Sequence, residues 1–413
     1  MPKTRLLAAL FAFLWIATPA LAATLKLERV VLVERHGVRP PTQSNEALAK
    51  YAAQPWPAWP VAPGELTPHG GQTVQLMGDT LRARYVSGGL LPARGCPDAA
   101  SLVVWADGTD QRTRRTGEIL IEALAPGCQA KAAWGAASPR DPIFGGSSTE
   151  ACKLDADKAR AALAAAATGP EESASLTAAF ARLQVILAPK ACAGGPGTCF
   201  APASTGAPAA GDMAGPFPAT AALAEDLLLE YVDDKPMSDV GWGRASARDI
   251  AAVMPIHERA FALIRDATYV VSRRGAVMGR VVLAGLAGSP VAAGPTIGPD
   301  VKVLAFAGHD SDLMMMAGVF GLRWANLAGQ PDGTAPATTL AFEVWSDPAT
   351  GARYVRPALY YETLDQLRTL KPALASRLDL RFDGCASGPG GSCPLNDLHA
   401  RVEALIPPGC GEL

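Results

Sequence analysis

Val30-Val31-Leu32-Val33-Glu34-Arg35-His36-Gly37-Val38-Arg39-Pro40-Pro41 sets a run of β-branched and apolar residues directly against a basic turn. An apolar run of this kind beside turn formers reads as a buried strand, and Gly37 with Pro40-Pro41 ends it. A histidine and two arginines therefore stand where the strand leaves its sheet. In open α/β sheets that edge is where ligands bind.

Two further stretches repeat the pattern. Leu102-Val103-Val104-Trp105-Ala106 reads as a strand that ends in Asp107-Gly108-Thr109-Asp110-Gln111-Arg112, with a helix following through Leu124. Val301-Lys302-Val303-Leu304-Ala305-Phe306-Ala307 reads as a third strand, ending in Gly308-His309-Asp310-Ser311-Asp312, with helix over Leu313 to Val319. Between the first two, Val74, Met77, Leu81 and Tyr85 recur at helical spacing, with Thr67 and Pro68 as N-cap and first helical residue. Thr339 to Trp345 and Tyr354 to Tyr361 alternate like a hairpin around Asp347 to Gly351. The expected fold is α/β, with a mainly parallel sheet.

From 142 to 255 the character changes. Ala-rich helical stretches alternate with Gly/Pro/Ala-rich loops, and no strand pattern occurs. This reads as an inserted α-helical cap, flanked by core segments 23–141 and 256–413. Residues 1–22 carry a short basic start, an apolar run from Leu6 to Ala17 and the small-residue site Ala20-Leu21-Ala22, the three parts of an export signal. That run is well short of the ~20 residues a membrane span needs. No membrane association is expected once it is cleaved.

The chain has 413 residues and a net charge of −2, with a pI near 6.2. No basic excess argues for nucleic acid or anionic membrane as a partner. Eight cysteines in an exported chain predict four disulfides, and no C-x-x-C pair suggests zinc. Cys192 with Cys199, and Cys385 with Cys393, look like local staples; the residues alone leave the connectivity open.

If the three strands are neighbours, their ends bring Arg35, Arg39, Arg112, His36, His309 and Asp310 together. Three guanidiniums suit a tetrahedral dianion and disfavour the imidazolium form of His36. A neutral ring nitrogen could then attack phosphorus and expel an alkoxide, with Asp310 supplying its proton and later activating water. His309 would stabilise charge on the transferring group. The arginines would do the electrostatic work that a metal does elsewhere, so no metal and no cofactor is expected.

These residues resemble the histidine acid phosphatase family (histidine phosphatase superfamily, branch 2), most nearly its bacterial periplasmic phytases and glucose-1-phosphatases. Arg35-His36-Gly37-Val38-Arg39-Pro40-Pro41 looks like the R-H-G-x-R-x-P loop and Gly308-His309-Asp310 like the distal H-D motif. Glu65-Leu66-Thr67-Pro68, Arg112-Thr113-Arg114-Arg115-Thr116-Gly117-Glu118 and Gly241-Trp242-Gly243-Arg244 also look like shared stretches. The resemblance implies a Rossmann-like three-layer core with a helical cap (phosphoglycerate-mutase-like). It implies His36 as nucleophile, Asp310 as proton donor, and Arg35, Arg39, Arg112 and His309 as phosphate ligands. It also implies the bridges Cys96–Cys128, Cys152–Cys410, Cys192–Cys199 and Cys385–Cys393. The expected partner is a small phosphomonoester, phytate or a related inositol or sugar phosphate, met by a monomer in the periplasm. A glucose-1-phosphatase or broad acid phosphatase is the alternative.

Phytase-like members often carry a lysine just after the loop; here Gln43 follows Thr42. The residue two after the H-D pair, commonly Asn, is Asp312. Both changes lower the positive character of the mouth. Glu225 resembles a cap residue facing substrate, with a solvated helix charge as the bland reading. Arg114 and Arg115 read as helix-surface cations, and Glu34 as the partner of a nearby arginine. His69 reads as structural or solvated, His257 as a satisfied core histidine, His399 as unpartnered, and Met314-Met315-Met316 as core packing.

Overall fold

The structure, a computed structural model, describes residues 25–138, 140–145, 152–167, 173–200 and 216–411. The expected export signal lies outside the described residues. In chain order the elements are β1 (Lys26–Arg35), α1 (Asn45–Leu48), α2 (Pro68–Ser87), β2 (Leu102–Ala106), α3 (Gln111–Leu124), β3 (Ala133–Trp134) and α4 (Pro142–Gly145). The helices α5 (Ala156–Ala166), α6 (Ser173–Leu187), α7 (Pro216–Val232), α8 (Ala247–Asp266), α9 (Thr268–Arg274) and α10 (Ala276–Ala287) follow. Then come β4 (Val303–Gly308), α11 (Asp310–Phe320), β5 (Thr339–Ser346), β6 (Arg353–Tyr361), α12 (Leu364–Thr369), β7 (Ser376–Asp379), β8 (Cys393–Pro394) and α13 (Leu395–Leu405).

One sheet runs β3-β2-β4-β1-β5-β6-β7, with β8 on β6. β3, β2, β4 and β1 are parallel, and β5, β6 and β7 extend the sheet antiparallel. Alternation along β1 explains why the sheet is covered on both faces. Val30 and Leu32 pack with Val74, Leu81 and Leu120 of α2 and α3, whereas Val31 and Val33 pack with Leu286, Leu313 and Phe342 on the other side. Each such buried aliphatic side chain contributes ~1.5–3 kcal/mol, so the strand that carries the basic turn is clamped between two apolar layers. The near-continuous hydrophobic run of β1 follows from that burial.

The expected hairpin is β5 and β6, joined through Asp347 to Gly351, where Gly351 takes φ 71°. Thr67 caps α2, its hydroxyl accepting from the Gly70 amide at 2.9 Å. Met316 is fully buried in the core. The described residues between β3 and β4 are helices and loops without a strand. α8 runs unbroken through Pro255 and Ile256, the point at which the sequence reading divides cap from core. The eight cysteines pair at disulfide distance as the resemblance implies, with Cα–Cα separations of 5.5, 5.0, 4.7 and 5.1 Å for Cys96–Cys128, Cys152–Cys410, Cys192–Cys199 and Cys385–Cys393.

Candidate active site

The parallel register brings three loops to one level. Arg35 of β1 is paired with Gly308 of β4, and the His36 amide donates to the Gly308 carbonyl at 2.9 Å. On the other side of β4, the Asp107 amide donates to the Ala307 carbonyl at 3.0 Å. The loop that carries His36 is then pinned to the start of α2. A Cβ on Gly37 would stand 2.2 Å from the Gly70 carbonyl oxygen, and one on Gly70 would stand 2.2 Å from that of Val38. Only glycine at both positions allows so close an approach.

His36 is buried, and its Nδ1 lies 2.8 Å from the Gly37 carbonyl oxygen. A carbonyl only accepts, so Nδ1 carries the proton and Nε2 keeps its lone pair. Burial first, then the charges of Arg112, Arg39 and Arg35, hold the ring's pKa well below the ordinary histidine value. The neutral imidazole expected from the sequence is what this environment favours.

Arg35 is wholly buried among carboxylates. Its Nη2 meets Glu225 and lies 3.2 Å from Asp310 Oδ2, and its Nη1 lies 3.4 Å from Asp332 Oδ2. Burial works against its charge, but Glu225, Asp310 and Asp332 outweigh that and push its pKa up. Arg39 donates to Glu225 Oε2 at 3.3 Å. Burial opposes the charge of Glu225 too, yet Arg39 and Arg35 bring its carboxyl down to about 2. Glu225 is therefore a buried bridge between two arginines, and the solvated-charge reading does not hold. Arg112 donates to the Gly64 carbonyl at 3.2 Å and to Asp110 at 3.0 Å, and its Nη2 lies 3.5 Å from His309 Nδ1.

His309 caps α11, and its amide donates to Asp312 Oδ2 at 2.8 Å. Burial pushes the Asp312 carboxyl up to about 6. The His309 ring stands 5.6 Å from that of His36, centroid to centroid. Its Nε2 lies 2.9 Å from Asp107 Oδ2. Asp310 begins α11, partly exposed, with Oδ1 accepting from the Ser311 amide at 2.6 Å. All six expected core residues of the site thus converge. Thr42 and Gln43 lie exposed beyond the loop, and a Cβ on Gly64 would stand 3.5 Å from Thr42 and 3.4 Å from Arg112.

Asp107, Asp110 and His309 place ligand atoms within 4.8 Å of one another, as a metal site would. Here the two carboxylates already engage Arg140 at 2.6 Å and Arg112 at 3.0 Å, so a cation would compete with two guanidiniums. A cavity of about 1390 Å³ lies on the outer side of α8, against Glu258, Met314, Trp324 and Gly333; it does not reach His36 or the three arginines.

The match to known proteins decides the family. Residues 26–185 match the family model described as histidine phosphatase superfamily, branch 2. The chain is 30% identical to phytase AppA of Escherichia coli strain K12 over 94% of its own length and 93% of that protein. The chain belongs to the histidine phosphatase superfamily, branch 2. Members with other names are also similar: a glucose-1-phosphatase of Salmonella typhimurium is 25% identical over 90% of each chain. Among solved members, Hafnia alvei phytase in complex with myo-inositol hexakis sulphate superposes with a TM-score of 0.83 at 31% identity, covering 95% of this chain and 99% of that one. This histidine phosphatase is a phosphomonoester hydrolase.

Of the other residues singled out in the sequence, Glu34 departs from its reading. Among the described residues Glu34 meets no arginine: it is buried on the opposite side of β1 from Arg35, accepts from Thr339 at 3.2 Å, and burial holds its carboxyl well up. His69 bonds the Leu367 carbonyl at 2.7 Å. His257 is buried, with its Nε2 3.8 Å from Asp332. Arg114 and Arg115 keep local partners, Gly108 and Glu118, outside the cluster. The sequence reading missed Asp107, Asp332 and Arg140. Asp107 carried a signal, since it follows β2 as His36 follows β1. Asp332 and Arg140 carried none, because each reaches the site from a loop with no motif.

Proposed function

We propose that this phosphatase is a periplasmic histidine acid phosphatase that cleaves phytate or a related inositol or sugar phosphate through a phosphohistidine. The observation that carries the reading is the free, neutral Nε2 of a buried His36 beside three arginines. Nε2 attacks phosphorus and the P–O bond to the leaving group breaks. Arg35, Arg39, Arg112 and His309 hold the phosphoryl oxygens. Asp310 gives its proton to the departing alkoxide and then takes one from water as water cleaves the P–N bond. The guanidiniums supply the positive charge, so no metal or cofactor is needed for this sequence of steps.

Glu225 engages both Arg35 and Arg39, so in this reading substrate phosphate meets guanidiniums already shared with a carboxylate. Glu225, Thr42 and Gln43 form the substrate mouth in this reading, beneath an inserted helical cap over 142–255. The export signal at 1–22 and a monomeric state complete it. The names of the relatives support phytate. Gln43, where phytase-like members often carry lysine, favours the second reading, a glucose-1-phosphatase or broad acid phosphatase. Comparing kcat/KM for phytate, glucose 1-phosphate and p-nitrophenyl phosphate in acidic buffer tests the two. Phytate strongly preferred supports the first; phytate left uncleaved contradicts it.

A further inference from the structure

Asp107 is fully buried yet held ionised. Burial works against its charge, but hydrogen bonds from His309, the Thr109 amide and Arg140 outweigh that and draw its pKa far below the usual carboxylate range. His309 Nε2 and Arg140 Nη2 both bond the same oxygen, Oδ2, at 2.9 and 2.6 Å. The Thr109 amide holds Oδ1 at 2.9 Å. A carboxylate only accepts, so Nε2 of His309 carries a proton toward Asp107, which leaves Nδ1, on the Arg112 side, as the nitrogen that donates to a phosphoryl oxygen when it too carries a proton.

Arg140 is delivered by an anchored loop. The next residue, buried Asp141, accepts from the Trp105 indole at 2.8 Å and from the Ile143 amide at 2.9 Å. The loop also packs backbone to backbone on the β2–α3 turn: a Cβ on Gly108 would stand 2.1 Å from the Gly135 carbonyl oxygen. Although the Arg140 side chain is 40% exposed, its partner is 0% exposed. The pair is therefore not an ordinary surface salt bridge of negligible worth.

We propose that Arg140 is a positioning residue: by holding Asp107 Oδ2 it fixes the ring orientation and the protonated nitrogen of His309. The inference rests on His309 acting on the transferred phosphoryl group, as read above. Groups that orient a metal-bound histidine through its second nitrogen typically change activity by ~10–100-fold, and the lower end of that range is taken for His309. Arg140→Ala is expected to lower kcat on p-nitrophenyl phosphate about tenfold with KM held within about twofold. Arg140→Lys, which keeps the charge, should recover most of the loss. In a His309→Asn background, Arg140→Ala should have no further effect, because the residue through which it acts is gone. With only five histidines in the chain, the ring nitrogens of His309 can be followed by ¹⁵N NMR. The Nε2–H form expected in the parent should give way to a mixture in Arg140→Ala.

An unchanged kcat and ¹⁵N pattern in Arg140→Ala, or an equal loss with and without His309, would overturn the proposal. Should Arg140→Ala not fold, Arg140→Met, which keeps an aliphatic stem but offers no donor to Asp107 Oδ2, carries the same prediction. A phosphorylation test on His36→Ala judges the underlying reading separately. If His36 is dispensable the reading fails, whatever Arg140 does.

Discussion

At the scale of single residues, the site separates two histidines by their second nitrogen. His36 donates its Nδ1–H to a backbone carbonyl and keeps a lone pair on Nε2, whereas His309 donates its Nε2–H to a carboxylate. Burial and the charges of Arg112, Arg39 and Arg35 hold the His36 pKa well below the ordinary histidine value, which favours the neutral ring. The acid limb of kcat/KM should lie well below the ordinary histidine value, and a limb near pH 6.5 would contradict this. Asp310→Asn should cost ~10²–10⁴-fold on phytate, whose leaving alkoxide needs a proton, and far less on p-nitrophenyl phosphate. Equal losses on both substrates would remove Asp310 from the donor role. The convergence of His36, Arg35, Arg39 and Asp310 was readable because each sits in a motif at a strand end. Glu225 was only half readable, because its burial depends on α7 lying over the loop.

At the scale of elements, the site depends on β1 and α2 meeting through glycine. Gly37 and Gly70 leave no space for a Cβ, and the clashing atoms are backbone that cannot rotate away. Gly70→Ala should destabilise the protein by ~1–3 kcal/mol and lower activity by displacing Val38 and its neighbour Arg39. An alanine variant with parental Tm and kcat would show that the contact yields freely. The strands and α2 were legible because their periodicity and caps are local. The loop at Asp332 and the turn at Arg140 were not, because their roles come from register and packing between distant segments. Glu34 shows the opposite failure: next to an arginine in sequence, it points to the other face of the strand.

At the scale of the whole molecule, two features set stability. Burial holds several carboxyls protonated at mild pH: Glu258 rises to about 7, and Glu230 and Glu362 to about 8. Their folded pKa values exceed the unfolded ones, so the stability they confer is full below about pH 4.5 and is lost as pH rises through about 7–8. His36 acts in the other direction below about pH 6.5, and Glu225 below about pH 4.5, but the raised carboxyls outnumber them. Tm should rise as pH falls from about 8 to about 5; a Tm that falls over that interval would contradict the assignment. The disulfides add a second, graded term. Cys152–Cys410 spans 258 residues, whereas Cys192–Cys199 spans 7. By chain entropy the first is worth ~5 kcal/mol and the second about half that, so Cys152→Ser should lower Tm more than Cys192→Ser.

In the proposed reaction phosphate passes through His36. Enzyme mixed with ³²P-labelled p-nitrophenyl phosphate in acidic buffer, then quenched in alkaline detergent, which a phosphorus–nitrogen bond survives, should carry label on Nε2 of His36. His36→Ala should carry none, with turnover reduced at least ~10³-fold. Absence of label in the parent protein under steady turnover, or undiminished label in His36→Ala, would contradict the account.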